Sequence, residues 1–224
     1  IKVREVQNNI LYTYQKDISK HVPTSESNRI NMVWQSMPSQ LVKENKKFIY
    51  GVTKPGGRAK DFEIAIQWLM DAGLVYKAER VNEAKMPLKF YVDISGFKLF
   101  LLDCGLLGAM SETPPEKLLV AENGMEESKG AFTENYVMSQ LVATRDTSVF
   151  YYSNDAKLEI DFLIQHGGEI VPIEAKAEEN LRAKSLSTFV ASRPGMHGLR
   201  FSMSDYREQD WMTNVPLYAI STYF

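Results

Sequence analysis

The stretch Lys157 to Ala177, KLEIDFLIQHGGEIVPIEAKA, constrains the fold most tightly. It predicts two strands, Leu158–Gln165 and Glu169–Ala177, joined by the turn chemistry of His166-Gly167-Gly168. Side chains alternate faces along a strand. On that rule Ile160, Phe162 and Ile164 share one face of the first strand, and Glu159, Asp161 and Leu163 share the other. In the second strand Val171, Ile173 and Ala175 share one face; Ile170, Pro172, Glu174 and Lys176 share the other. Polar groups therefore gather at one spot on otherwise apolar strands: Asp161 on one, Glu174 and Lys176 on its neighbour. Two carboxylates and an ammonium on adjacent strands are what Mg²⁺-dependent phosphodiester chemistry needs. The carboxylates hold a hard cation through oxygen, and the lysine orients or activates water or steadies phosphate charge. Taken alone, most copies of Glu-x-Lys are solvated strand edges; the Asp161 strand before it, and a helix before both, favour the catalytic reading.

A helix is predicted ahead of these strands, over Gly130 to Thr144. Val137, Met138 and Leu141 follow Glu134 at helical spacing, so Glu134 falls on the stripe that docks on the sheet. A carboxylate there is costly unless it has a partner. One partner is the helix start itself, with Glu134 as a capping or snorkelling residue. The other is a metal ion, or a water on it, near Asp161 and Glu174.

The predicted order is helix, Ser148–Ser153, Leu158–Gln165, Glu169–Ala177, a helix over Arg182–Arg193, and strand His197–Met203. That order resembles the PD-(D/E)XK nuclease superfamily. The resemblance makes Asp161 the aspartate of the motif, Glu174 and Lys176 its E-x-K, and Glu134 the glutamate of the first helix. Ile160 stands where the proline of the name would be. The resemblance implies four catalytic residues, Glu134, Asp161, Glu174 and Lys176. It implies Mg²⁺ or Mn²⁺ on Asp161, Glu174 and the carbonyl of Ala175. A wider resemblance rests on MPSQLVKENKKFIYG, GGRAKDFEIAIQWLMDAGLV, FKLFLLDCGLL, GAFTENYVMSQL and EIDFLI…IVPIEAKA. These segments resemble the C-terminal portion of a prokaryotic family of predicted AAA+ ATPases. There a P-loop ATPase precedes a winged-helix region and a restriction-endonuclease-like domain of unknown function. The implied fold class is α/β in the α+β sense: a winged-helix domain, then a domain built on a central mixed sheet.

In order along the chain, residues 1–24 are expected to be a helical lead-in, the tail of an ATPase module. Residues 25–110 are expected to form the winged helix, with helices at Ser27–Ser36, from Pro38 to Lys46, and at Arg58–Ala72, the last stopped by Gly73. Leu74–Val81 and Phe97–Leu102 are the expected wing strands, and Asn82–Ser95 the loop between them. Residues 111–128 are the expected linker and 129–224 the nuclease-like domain; Val215–Ile220 closes the sheet. Between positions 40 and 60, Lys43, Lys46, Lys47, Lys54, Arg58 and Lys60 face only Glu44. This is a candidate phosphate-binding edge for DNA. A solvated basic loop, or a surface that grips a partner domain, explains it as well.

Charge supports the division. Residues 1–120 carry 17 Lys+Arg against 13 Asp+Glu, whereas residues 121–224 carry 9 against 15. The basic half is the better candidate to touch phosphate. The single Cys104 excludes a disulfide framework and fits a reducing cytoplasm. No apolar run is long enough for a membrane span, and no signal peptide opens the chain. A chain that opens on Ile1 is expected to be a fragment, with the ATPase domain upstream as its partner; oligomeric state is left open. KPGGRAK at Lys54–Lys60 lacks the Gly-Lys-Ser/Thr of a Walker A loop, so no ATP site is expected here. His21, His166 and His197 with one cysteine give no zinc spacing. Two function classes stand: a metal-dependent nuclease, or a nuclease-derived module that binds or regulates without catalysis. A pure transcriptional regulator leaves the second half without a role.

Overall fold

A computed structural model describes residues 2–43, 46–119, 126–144, 148–154, 158–177 and 183–224. Glu44, Glu122, Lys157, Glu178, Glu179, Asn180 and Arg182 lie outside the described residues. The chain divides into two compact units. One comprises Ile1–Tyr76 and Leu99–Phe132; the other comprises Lys77–Lys98 and Thr133–Phe224.

The first unit is helical. Helix α1 (Lys2–His21) buries Ile18 and sets Tyr14 edge-on to Trp34, ring centroids 6.1 Å apart. Helix α2 (Thr24–Leu41) runs unbroken through Pro38, where two helices are expected from the sequence. An interior proline costs about 3 kcal/mol. Trp34, Met37 and Leu41 bracket it on one fully buried stripe, and splitting the helix would break that stripe. After α3 (Tyr50–Thr53), helix α4 (Ala59–Asp71) opens with the Asp61 carboxylate accepting the Arg58 N–H at 2.9 Å. It closes in a Schellman motif: Gly73 takes φ +68°, Leu74 N–H reaches Leu69 O at 2.9 Å and Gly73 N–H reaches Met70 O at 2.9 Å. Phe62, Ala65, Ile66 and Leu69 are its buried stripe. Helix α5 (Cys104–Met110) is capped by Asp103, which accepts from Leu106 N–H at 2.8 Å, and α6 (Pro115–Leu119) follows.

The second unit is built on a mixed sheet, of whose strand residues Val75, Tyr76 and Leu99–Leu101 count with the first unit. Its strands are β1 (Val75–Val81), β2 (Val92–Leu101), β3 (Phe150–Ser153), β4 (Glu159–His166), β5 (Glu169–Ala175), β6 (Gly198–Ser202), β7 (Arg207–Glu208) and β8 (Met212–Pro216). Among the described residues they form one eight-stranded sheet in the order β2-β1-β3-β4-β5-β6-β8-β7. β3–β4, β4–β5 and β7–β8 are antiparallel; β1–β3, β5–β6 and β6–β8 are parallel. The fold is α+β. The hairpin expected as a wing supplies the edge of this sheet, because β1 pairs with β3 from Glu79↔Phe150 to Val81↔Tyr152. Partnering an otherwise bare strand edge in this way satisfies its row of N–H and C=O groups.

The β4–β5 turn follows its sequence. Gly167 and Gly168 both have positive φ, +59° and +85°, as a two-residue hairpin with the twist of its strands requires. Helix α7 (Glu126–Thr144) precedes β3, and α8 (Lys184–Ala191) joins β5 to parallel β6. From α7 to β6 the element order is the expected helix, three strands, helix, strand. Helix α8 buries Leu186, Phe189 and Val190 against Phe150, Tyr152, Ile160, Leu163 and Met212. Gly198 permits this approach, since a Cβ there would stand 3.0 Å from Leu186. Final helix α9 (Ile220–Tyr223) follows β8, so the last strand ends at Pro216 rather than running to Ile220.

One local feature departs from simple alternation. Leu163 pairs with Phe150 and Ile160 with Tyr152, so β4 spends three steps where β3 spends two. The extra residue is a β-bulge. It returns Leu163 to the face of Ile160, so Leu163 does not share a face with Glu159 as expected.

Candidate active site

The site lies in the second unit, where the β4–β5 ladder gives out. Backbone pairing is regular from His166↔Glu169 to Phe162↔Ile173. At the next step Asp161 intervenes: its Oδ2 accepts the Ala175 N–H at 2.9 Å. The side chain takes the place of a strand carbonyl, and the bulge frees it to do so. A residue's N–H and C=O leave a strand on the same edge. The Ala175 carbonyl, the expected third ligand, therefore faces the Asp161 side of β5.

Glu174 is buried at 6% exposure, and its Oε1 meets Lys176 Nζ at 3.0 Å. Its Oε2 is buried without a hydrogen-bond partner. The Lys176 ammonium is pulled two ways. Burial disfavours its charge, but Glu174, Asp161 and Glu134 together outweigh burial and hold its pKa above the ordinary lysine value. Glu134 is 6% exposed on the α7 stripe of Val137, Met138 and Leu141, all buried. Glu134, Asp161 and Glu174 thus all act on Lys176.

Besides Glu159 on β4, two further groups belong to the cluster and are not singled out in the sequence. Lys98 on β2 is 0% exposed. Its Nζ donates to Glu159 Oε1 at 2.5 Å, lies 3.8 Å from Glu134 Oε2, and sits 4.8 Å over the Tyr151 ring. Burial opposes the Lys98 charge; Glu134, Glu159 and Asp161 override it, so this pKa too is raised. The other is Arg200 on β6, 1% exposed, which stands opposite Glu174 in register and donates through Nε to Asn214 Oδ1 at 2.8 Å. The test that singles out Glu134, an ionisable group inside an apolar run, would have flagged Lys98 in GFKLFLL and Arg200 in GLRF as well.

The formal charges of the cluster do not cancel. Lys98 and Lys176 face Glu134, Glu159, Asp161 and Glu174, which leaves −2, or −1 with Arg200. Among the described residues no group of three or more His, Cys, Asp and Glu is arranged to hold a metal ion. The smaller set of Asp161, Glu174 and the Ala175 carbonyl has the donor chemistry a hard cation takes. Its oxygens are of the right type, its net charge is negative, and the Glu174 Oε2 is a buried oxygen lacking a hydrogen.

The six basic residues of the candidate DNA edge lie in the first unit. Lys54, Arg58 and Lys60 are exposed around the entry to α4, whereas Lys43, Lys46 and Lys47 are half-buried ahead of α3. Gln40, 1% exposed, clamps that segment: its Nε2 donates to Ile49 O at 2.9 Å and its Oε1 accepts Ile49 N–H at 3.0 Å. Cys104 is half-buried with its Sγ 3.6 Å from Phe132 O. No described helix is long and apolar enough to cross a membrane.

The fold and site define an α+β protein with a buried lysine–carboxylate cluster. The chain belongs to the family described as domain of unknown function DUF8612, whose model matches residues 1–117. A second model, domain of unknown function DUF4143, matches residues 129–220 and is known from AAA-ATPase-associated proteins. No curated protein and no solved structure matches the chain. The interval between the two matched spans falls within the expected linker 111–128. Residues 77–98, inside the first span, nevertheless count spatially with the second unit.

Proposed function

We propose that residues 129–224 are a metal-dependent nuclease-like domain of the PD-(D/E)XK kind, serving as the DNA-processing end of a cytoplasmic AAA+ ATPase. The observation that carries this reading is the Asp161 carboxylate on the Ala175 N–H at 2.9 Å, next to the Glu174–Lys176 pair at 3.0 Å. Asp161, Glu174 and the Ala175 carbonyl would hold Mg²⁺ or Mn²⁺. The ion would supply Lewis-acid stabilisation of charge on a phosphodiester. The chain's own residues do the rest. Asp161 holds the end of β5 through the Ala175 N–H, which sets the carbonyl. Lys176, a cation whose side chain is 38% exposed, reaches solvent and can steady the phosphate or orient the attacking water. Helices α2 to α4, followed by β1 and β2, keep the element order of a winged helix. Lys43, Lys46, Lys47, Lys54, Arg58 and Lys60 would guide the DNA backbone.

The test is cleavage of single-stranded, duplex and branched DNA by the purified chain with Mg²⁺ or Mn²⁺, alone and joined to its upstream ATPase domain. Cleavage that is lost in Asp161→Asn, Glu174→Gln and Lys176→Met is expected. A folded, metal-loaded protein that cuts none of the three substrates in either form would overturn the reading.

A second reading draws on the ion pairs themselves. Glu174 is paired with Lys176, and Glu159 and Glu134 with Lys98, so much of the charge is neutralised within the chain. The domain would then be a non-catalytic module of the ATPase. On this reading the double change Glu174→Ala with Lys176→Ala leaves the biological activity intact and lowers stability.

A further inference from the structure

A question the cluster poses is why Lys98 is there. It comes from β2, outside the span matched by the second family and 61 residues from its hydrogen-bond partner Glu159. An ammonium at 0% exposure is expensive to bury, and it persists only where anions compensate it. Those anions are Glu159 at 2.5 Å and Glu134 at 3.8 Å. Glu134 is the residue the nuclease resemblance offers to a second metal ion or to a water on the metal. In this chain the near side of Glu134 already holds a cation.

We propose that Lys98 is the resident second cation of the cluster: its ammonium takes the place beside Glu134 and Glu159 that a second divalent ion would take. Lys98 is a positioning residue in this role, and the site holds one divalent ion, on Asp161 and Glu174. Charge supports the count. A net −1 with Arg200 included becomes +1 with one divalent ion and +3 with two, and an uncompensated +3 in a buried cluster is strongly disfavoured. The arrangement also explains why no three-carboxylate cage exists among the described residues. Two carboxylates serve the lysine and two are left for the metal. The second family's pocket is therefore complete only with a residue from the first family's span.

The inference rests on the metal reading above, and counting ions separates the two. Mn²⁺ bound per chain is measured by electron paramagnetic resonance on the full chain. One ion is expected on the native protein, two on Lys98→Met, and one on Glu134→Gln. One ion, or none, on Lys98→Met overturns the role of Lys98. So do two ions on the native protein falling to one in Glu134→Gln, and this arm decides the matter if Lys98→Met fails to fold. One ion on both the native protein and Lys98→Met leaves the metal site standing and removes only this inference. No ion on the native protein removes both.

Discussion

Lys98 and Lys176 show how much of this site is decided by single residues. The burial of Lys98 is offset by carboxylates from other elements, and that of Lys176 by Glu174 two residues before it, with Asp161 and Glu134. Lys98→Ala would leave Glu159 and Glu134 without their common cation. Removing one partner of a buried ion pair costs about 3–5 kcal/mol. A drop of that size in urea unfolding is expected, with a substantial part regained when Glu159→Gln is added; no drop would mean the pair is not held in the folded chain. The pH dependence has a definite sign. Both lysine pKa values are raised in the folded state, so the unfolded chain loses these protons first as pH rises. Their contribution is whole below the ordinary lysine value of about 10.4 and is lost as pH climbs through the raised values. Thermal melts should therefore be insensitive to these groups near neutrality and fall above about pH 10.4, less so in Lys98→Met. At this scale Asp161, Glu174, Lys176 and Glu134 were legible, because each interrupts a local apolar pattern. Lys98 interrupts one too, but its partners are remote in sequence, and no spacing rule links strand Val92–Leu101 to Glu134 or Glu159.

Among the elements, α2 and β4 depart most from local rules. Proline predicts a break in α2, yet the buried stripe on either side of Pro38 keeps the helix whole. The same helix carries Gln40, whose amide gives Ile49 both halves of a backbone pair. Net contributions near 1 kcal/mol per bond put Gln40→Ala at about 2 kcal/mol. Urea unfolding should show that loss, and hydrogen exchange should show faster loss of the Ile49 amide proton. An unchanged Ile49 amide would mean that the clamp is not what orders this segment. In β4 the bulge is a tertiary product. Alternation reads Glu159, Asp161 and Leu163 onto one face, but the pairing with β3 inserts an extra step and turns Leu163 toward α8. That step lies beside Asp161, and it frees the carboxylate to cap the Ala175 N–H.

For the whole molecule, the charge division bears on function. The basic residues of the first 120 positions outnumber the acidic 17 to 13, and those after them are outnumbered 15 to 9. If the first unit holds DNA through phosphate, log affinity should fall linearly with log salt concentration, by about 0.9 per phosphate contact on duplex. Replacing Lys54, Arg58 and Lys60 by Gln should then shrink the slope by about 2–3. A slope that stays the same would move the DNA-binding surface elsewhere. The helix and strand order from α7 to β6, the Gly167-Gly168 turn, the Gly73 stop and the α+β class follow from sequence alone. Each is set by residues within a few positions of one another, through periodicity or through the backbone freedom of glycine. Tertiary structure decided that the hairpin 77–98 joins the sheet, that β4 bulges, and that Lys98 completes the carboxylate cluster. These depend on which strand edges meet and which buried charges must be matched. Such long-range compensation of desolvation leaves no fixed spacing in a chain for periodicity to reveal.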